Sequence, residues 1–122
     1  MTRHILDQAR IHPAALAQIS NYHHGLIAEV EAAIAANKVV VVGMGLNPFP
    51  AKARKLLDAQ GIPYQYLSYG NYFSAWRPRL ALKLWSGWST FPMVFVNGTL
   101  IGGAIDLQKL IASGELQRML AG

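Results

Sequence analysis

A chain of 122 residues, 52% hydrophobic and 14% charged, has the composition of one folded domain, which excludes a disordered tail; at this length about two thirds of the unfolded surface can be buried without a metal or disulfide staple. It has no cysteine, which removes disulfide scaffolds, thiolate-bound zinc or iron–sulfur centres, thiol nucleophiles and any dithiol redox cycle carried by this chain alone. The net charge of +5 is uneven, with two bases and three acids in residues 1–37 against nine bases and three acids in residues 38–122; anions are favoured, but no run of Lys and Arg exceeds two and no RNA-recognition pattern accompanies them, which argues against specific nucleic-acid binding.

Pro13 suits a first helical position, and Leu16, Ile19, Leu26, Ile27, Val30 and Ile34 recur near helical spacing as far as Asn37, with Gly25 a candidate division between two helices. Residues 38–42, a lysine followed by four β-branched valines, form a run apolar on both faces and too short for a helix, as in a central buried strand. After a loop over residues 43–50, residues 51–60 read as a helix, with Pro50 at or near its first turn, Gly61 as a left-handed cap and Pro63 beyond. Residues 64–68 read as a second strand, 76–85 as a helix, 93–96 as a third strand and 100–101 as a short fourth strand across an Asn97-Gly98 hairpin turn. Residues 106–111 and 116–120 close the chain as helix. A strand–helix–strand unit implies parallel neighbours and a two-residue turn an antiparallel pair, so an α/β, thioredoxin-like fold is expected, a four-stranded mixed sheet with helices on both faces.

The longest apolar stretch, residues 39–50, falls short of the roughly 18 to 20 residues of a membrane span and is broken by Gly43, Gly45, Pro48 and Pro50, so no membrane association is expected. Asp7 stands where a secretory signal would have its uncharged core, which leaves cytoplasmic residence as the expectation. His4, His12, His23 and His24 are the only metal-capable cluster. Adjacent histidines on a helix diverge by about 100°, and none has a partner at zincin spacing, so no metal site is expected.

Three segments point to one family: Leu46-Asn47-Pro48-Phe49-Pro50 after the first strand, Gly87-Trp88-Ser89-Thr90-Phe91-Pro92 before the third, and Val96-Asn97-Gly98 followed by Ile101-Gly102-Gly103. In this order and at these spacings the chain resembles a glutaredoxin over about residues 28–121. On that resemblance residues 1–27 form an N-terminal helical extension and residues 28–122 a glutaredoxin-like domain. Arg79, Lys83, Ser86, Trp88 and Thr90, with the Gly-Ile-Pro at 61–63, are similar to the monothiol branch, whereas the short loop before Asn47 is similar to the dithiol branch.

The family places Cys-Pro-Tyr-Cys or Cys-Gly-Phe-Ser at the start of the helix after the first strand. Here Asn47, Pro48, Phe49 and Pro50 occupy that place, with Asn47 at the nucleophile position and Pro50 at the resolving position. Asparagine has nothing to ionise and cannot exchange with a disulfide or ligate iron as a thiolate would. Neither the family's oxidoreductase reaction nor its [2Fe–2S] cluster is therefore expected, and no residue is assigned a catalytic role.

The resemblance also implies a ligand site that needs no thiol. The backbone of Phe91-Pro92, with Pro92 a cis-proline, would pair with the cysteinyl part of glutathione, and Arg79 would face its glycine carboxylate. Gly102 and Gly103 would let the backbone approach, and the N–H groups of Ala104 and Ile105 would hold the γ-glutamyl carboxylate. Ile105 replaces a polar residue and Met44 a lysine of dithiol members, and two lost contacts at about 1 kcal/mol each would weaken affinity by tens-fold. The expected function is a non-catalytic module binding glutathione or a γ-glutamyl peptide. The alternative is a protein-interaction adaptor with an empty pseudo-active site, using the Tyr69–Arg79 face, where the loop-like stretch Tyr69-Gly70-Asn71-Tyr72-Phe73 has Arg77 and Arg79 beside it. The apolar stripe of Leu16, Ile19, Leu26 and Ile27 is expected to pack on the core or on a second chain.

Overall fold

The computed structural model describes residues 3–71, 74 and 76–121. A 3₁₀ turn, Gln8–Arg10, is capped by the Asp7 carboxylate, which accepts the Ala9 N–H at 3.0 Å. Helix α1, Pro13–Asn21, starts where His12 Nδ1 accepts the Ala14 N–H at 3.1 Å. Helix α2 spans His24–Ala36 and runs unbroken through residues 27 and 28. The expected division at Gly25 is corrected: the chain breaks at Tyr22 and His23, and Gly25 lies inside α2 with open space around it. His23 takes a left-handed φ of 49°, which histidine tolerates better than most side chains, and its ring packs edge-on to Tyr22 at 4.7 Å.

Four strands, β1 (Val39–Gly43), β2 (Gln65–Ser68), β3 (Met93–Val96) and β4 (Thr99–Gly102), form one sheet in the order β2-β1-β3-β4. β2 is parallel to β1, and β3 is antiparallel to both β1 and β4, giving the mixed sheet that the connections imply. Asn97 and Gly98 have φ of 49° and 80°, the two positive values a tight hairpin of this length requires.

The uniform apolarity of β1 follows from burial on both faces. Val39 and Val41 face α3 (Pro48–Ala59), α5 (Ala104–Ser113) and α6 (Glu115–Ala121), joining Ala53, Leu57, Leu107 and Leu116. Val40 and Val42 point the other way, to Val30 of α2 and Leu82 of α4 (Trp76–Ser86), with Met93 and Phe95. Two helices begin earlier than local pattern suggests. Pro48 and Pro50 fit in the first turn of α3 because N–H groups there need no intrahelical partner, and α5 starts at Ala104, where the Asp106 carboxylate accepts the Gly103 N–H at 2.9 Å.

The N-terminal stripe divides between two environments. Leu26 and Ile27 pack on the α4-side cluster of their own chain, whereas α1 buries none of its residues and Ile19 is 59% exposed. Between α1, α2 and α4 lies an apolar groove of about 450 Å³ whose walls include Ile19, Ile27, Leu84 and Trp85. Among the described residues no helix is long and apolar enough to cross a membrane.

Candidate functional site

Strand directions gather the chemistry at one end of the sheet. β1 and β4 end there and β3 begins there, as the pairings Val42 with Met93 and Val94 with Gly102 show. Helices α3 and α5 both start from the same end, directing two sets of unpaired backbone N–H groups and two positive dipole ends toward it. Asn47, Phe91, Pro92, Gly102, Gly103, Ala104 and Ile105 are thus brought to one place from three separate segments.

Asn47 is half-buried in extended backbone and caps α3, its side-chain oxygen accepting the Phe49 N–H at 3.0 Å. Leu46 before it has a φ of 59° and a side chain 68% exposed, and Phe49 is 48% exposed. Pro50, expected at the resolving position, is buried beside β1, where a Cβ on Gly43 would lie 2.8 Å from Pro50 Cβ. The Phe91–Pro92 peptide is cis, and both residues are buried.

Gly103 joins the two ligand-side segments. A Cβ there would lie 3.4 Å from the Pro92 carbonyl oxygen and 3.8 Å from Trp88 Nε1. That indole nitrogen is buried and finds no acceptor among the described residues. A buried donor without a partner costs on the order of 1–3 kcal/mol, so an acceptor atom supplied at this place recovers what the fold leaves unsatisfied. Trp88 carried no site role in the sequence reading. The general need of an indole N–H for a partner is the available signal, but only the packing shows that none is found among the described residues.

Arg79, expected to face a ligand carboxylate, also holds the backbone of its own chain. It is 7% exposed, and Nη1 donates to the carbonyls of Tyr69, at 3.2 Å, and Ser74. This ties α4 to the loop after β2, which in turn holds the loop after β1: Tyr69 N–H donates to Gly43 O at 3.0 Å and Gly45 N–H to Gly70 O at 2.7 Å. Tyr69 also donates its hydroxyl to Glu29 Oε1 at 3.1 Å, and burial, reinforced by that carboxylate, pushes its phenol up to about 12. Tyr72, Phe73 and Ala75 of this region lie outside the described residues. Met44 is 5% exposed and packs in the α2–α4 cluster, so its side chain belongs to the core. Lys83 lies 5.8 Å over the Phe91 ring.

This arrangement gathers the oriented backbone N–H groups of two helix starts around Asn47, whose side chain has no ionisable group. Asp106, the acid at the site, is occupied as the cap of α5. Among the described residues no three His, Asp or Glu side chains stand together as a metal would need. An iron–sulfur cluster does not fit the donor set either, because its cysteine ligands have no counterpart in a chain without thiols.

A family model described as glutaredoxin matches residues 46–101. A glutaredoxin-like protein of Dictyostelium discoideum is 51% identical over 98 residues, covering 80% of each chain. An uncharacterised monothiol glutaredoxin of Synechocystis is 33% identical over 98 residues, covering 76% of this chain and 89% of that one. Among solved structures, a wheat glutaredoxin is 28% identical and superposes with a TM-score of 0.68 over 79% of this chain and 91% of its own. A buckwheat glutaredoxin–glutathione complex, 24% identical, superposes with a TM-score of 0.68 over 86% of this chain and 92% of its own, a likeness of fold.

Proposed function

The chain belongs to the glutaredoxin family, and on that premise we propose that it is a thiol-free member that binds glutathione or a related γ-glutamyl peptide without turning it over. The observation that carries this reading is the convergence of the Phe91–Pro92 backbone, the Gly102–Gly103 approach and the start of α5 around the unpartnered indole N–H of Trp88, beside an asparagine where the nucleophile would stand. The Phe91 backbone pairs with the cysteinyl unit, the Ala104 and Ile105 N–H groups hold the γ-glutamyl carboxylate, and Trp88 Nε1 donates to a ligand oxygen or to a bridging water. Arg79 acts by holding the loop that shapes the site. With Asn47 committed to its helix, no bond in the ligand is attacked, and no reduction of a glutathione mixed disulfide above the buffer rate is expected.

The test is a glutathione titration followed by amide NMR. Shifts at Phe91, Gly103 and Ala104 together with the Trp88 indole N–H at millimolar ligand support the site, and a flat titration overturns it.

One observation favours the adaptor reading: Trp76 is 59% exposed, with the Arg77 guanidinium 5.3 Å over its ring, an aromatic–arginine pair of the kind that anchors protein interfaces. A protein-interaction role through residues 69–79 alone leaves the glutathione titration flat.

A further inference from the structure

We propose that the preferred ligand of this site is an S-substituted γ-glutamyl peptide, a thioether rather than a free thiol, whose apolar S-substituent lies on Leu46 and Phe49. The inference rests on the ligand site proposed above and names the class of molecule it takes.

The residues that flank Asn47 in sequence are large, apolar and turned outward: Leu46 is 68% and Phe49 48% exposed. A third, Ile105, is 53% exposed at the first turn of α5, where a polar contact to the γ-glutamyl group would stand. Leucine rarely occupies the left-handed backbone region that Leu46 adopts, with φ 59°, so the outward placement of this side chain is held against a local preference. Residues 39–51 contain no charged group, so the segment that carries Leu46, Asn47 and Phe49 brings no charge of its own to the site.

The polar alternative is weak. The Asn47 side-chain oxygen is taken by the Phe49 N–H at 3.0 Å. The chain holds no disulfide for a ligand thiol to attack, and an S–H group is only a weak donor. An alkyl or aryl group on the sulfur instead covers Leu46 and Phe49 and removes their apolar surface from water. No bond forms or breaks, because nothing at the site attacks the thioether.

The test compares glutathione, S-methylglutathione and S-hexylglutathione on the full chain by calorimetric titration and amide NMR. S-hexylglutathione is expected to bind at least about tenfold tighter than glutathione, since each methylene buried adds to affinity, with S-methylglutathione between them and added shifts at Leu46 and Phe49. The pair Leu46→Asn and Phe49→Ser, the first chosen because asparagine tolerates the left-handed backbone, should abolish that gain. Equal affinities with shifts at Phe91 and Ala104 overturn the thioether inference and leave the ligand site standing. No binding by any of the three overturns both. A gain that survives in the double variant, or that shifts Ile19 and Leu84 instead, places the alkyl chain in the groove beside α1 and overturns the inference as well.

Discussion

The side-chain oxygen of Asn47 accepts the backbone N–H of Phe49 at 3.0 Å, so the residue at the nucleophile position of the family serves as the cap of the helix whose field would otherwise act on a thiol. The helix end that stabilises a thiolate is intact and has no thiolate to stabilise.

Asn47→Cys should therefore gain a reactive thiol. A thiol with a pKa of about 7.5 instead of 8.5 carries roughly ten times the thiolate at mildly acid pH, and because a less basic thiolate is a weaker nucleophile, iodoacetamide should alkylate it about threefold faster than free cysteine at the same pH. Loss of the cap should lower stability by about 1 kcal/mol in urea denaturation. An alkylation profile that follows free cysteine would show that α3 does not act on this position.

Arg79 separates a positioning role from a ligand contact. Arg79→Ala removes the donor shared by the Tyr69 and Ser74 carbonyls, and the expected cost is on the order of 2–3 kcal/mol, with amide shifts at Tyr69, Gly70 and Ser74. Arg79→Lys should recover part of it. Unchanged stability with lost glutathione affinity would instead put the guanidinium on the ligand.

The two glycines before α5 should respond in opposite ways. Gly102 has a φ of 114°, and a Cβ there would come 2.5 Å from Asp106 Oδ2, the acceptor that caps α5. Gly102→Ala is expected to cost about 2 kcal/mol or more. Gly103 has a φ of −104°, and its nearest contact would be 3.4 Å away, so Gly103→Ala should change stability by less than about 1 kcal/mol while weakening glutathione binding. Thermal melts and the NMR titration read the two effects separately.

Tyr69 sets the alkaline limit of one contact between α2 and the loop after β2. Its phenol is raised from 10.0 to about 12, by burial first and by Glu29 second, so the native state holds this proton more tightly than the unfolded chain. The contribution is complete below about pH 10 and is lost as pH rises toward 12. Chemical denaturation across the alkaline range should show a steeper loss of stability in the parent than in Tyr69→Phe. Parallel curves would show that the Glu29 bond does not persist in solution.

Much of the architecture is local in origin and so was legible. The β-branched run at 39–42, the Asn97-Gly98 turn and the Gly61 stop each follow from the conformations their own residues allow, and in order they specify the mixed sheet. The missing thiol is a fact of composition that no fold can alter. What local pattern could not reach depends on which segments meet. The helix break falls at His23, whose ring packs edge-on to Tyr22, and not at the more permissive Gly25. That Arg79 is buried against the Tyr69 and Ser74 carbonyls depends on the loop after β2, which local pattern does not place. Trp88 Nε1 is buried near Gly103, fifteen residues away in sequence, and finds no partner there among the described residues. Backbone conformation is decided over a few neighbouring residues, whereas the partner of a side chain is decided by distant segments that the sheet brings to one end.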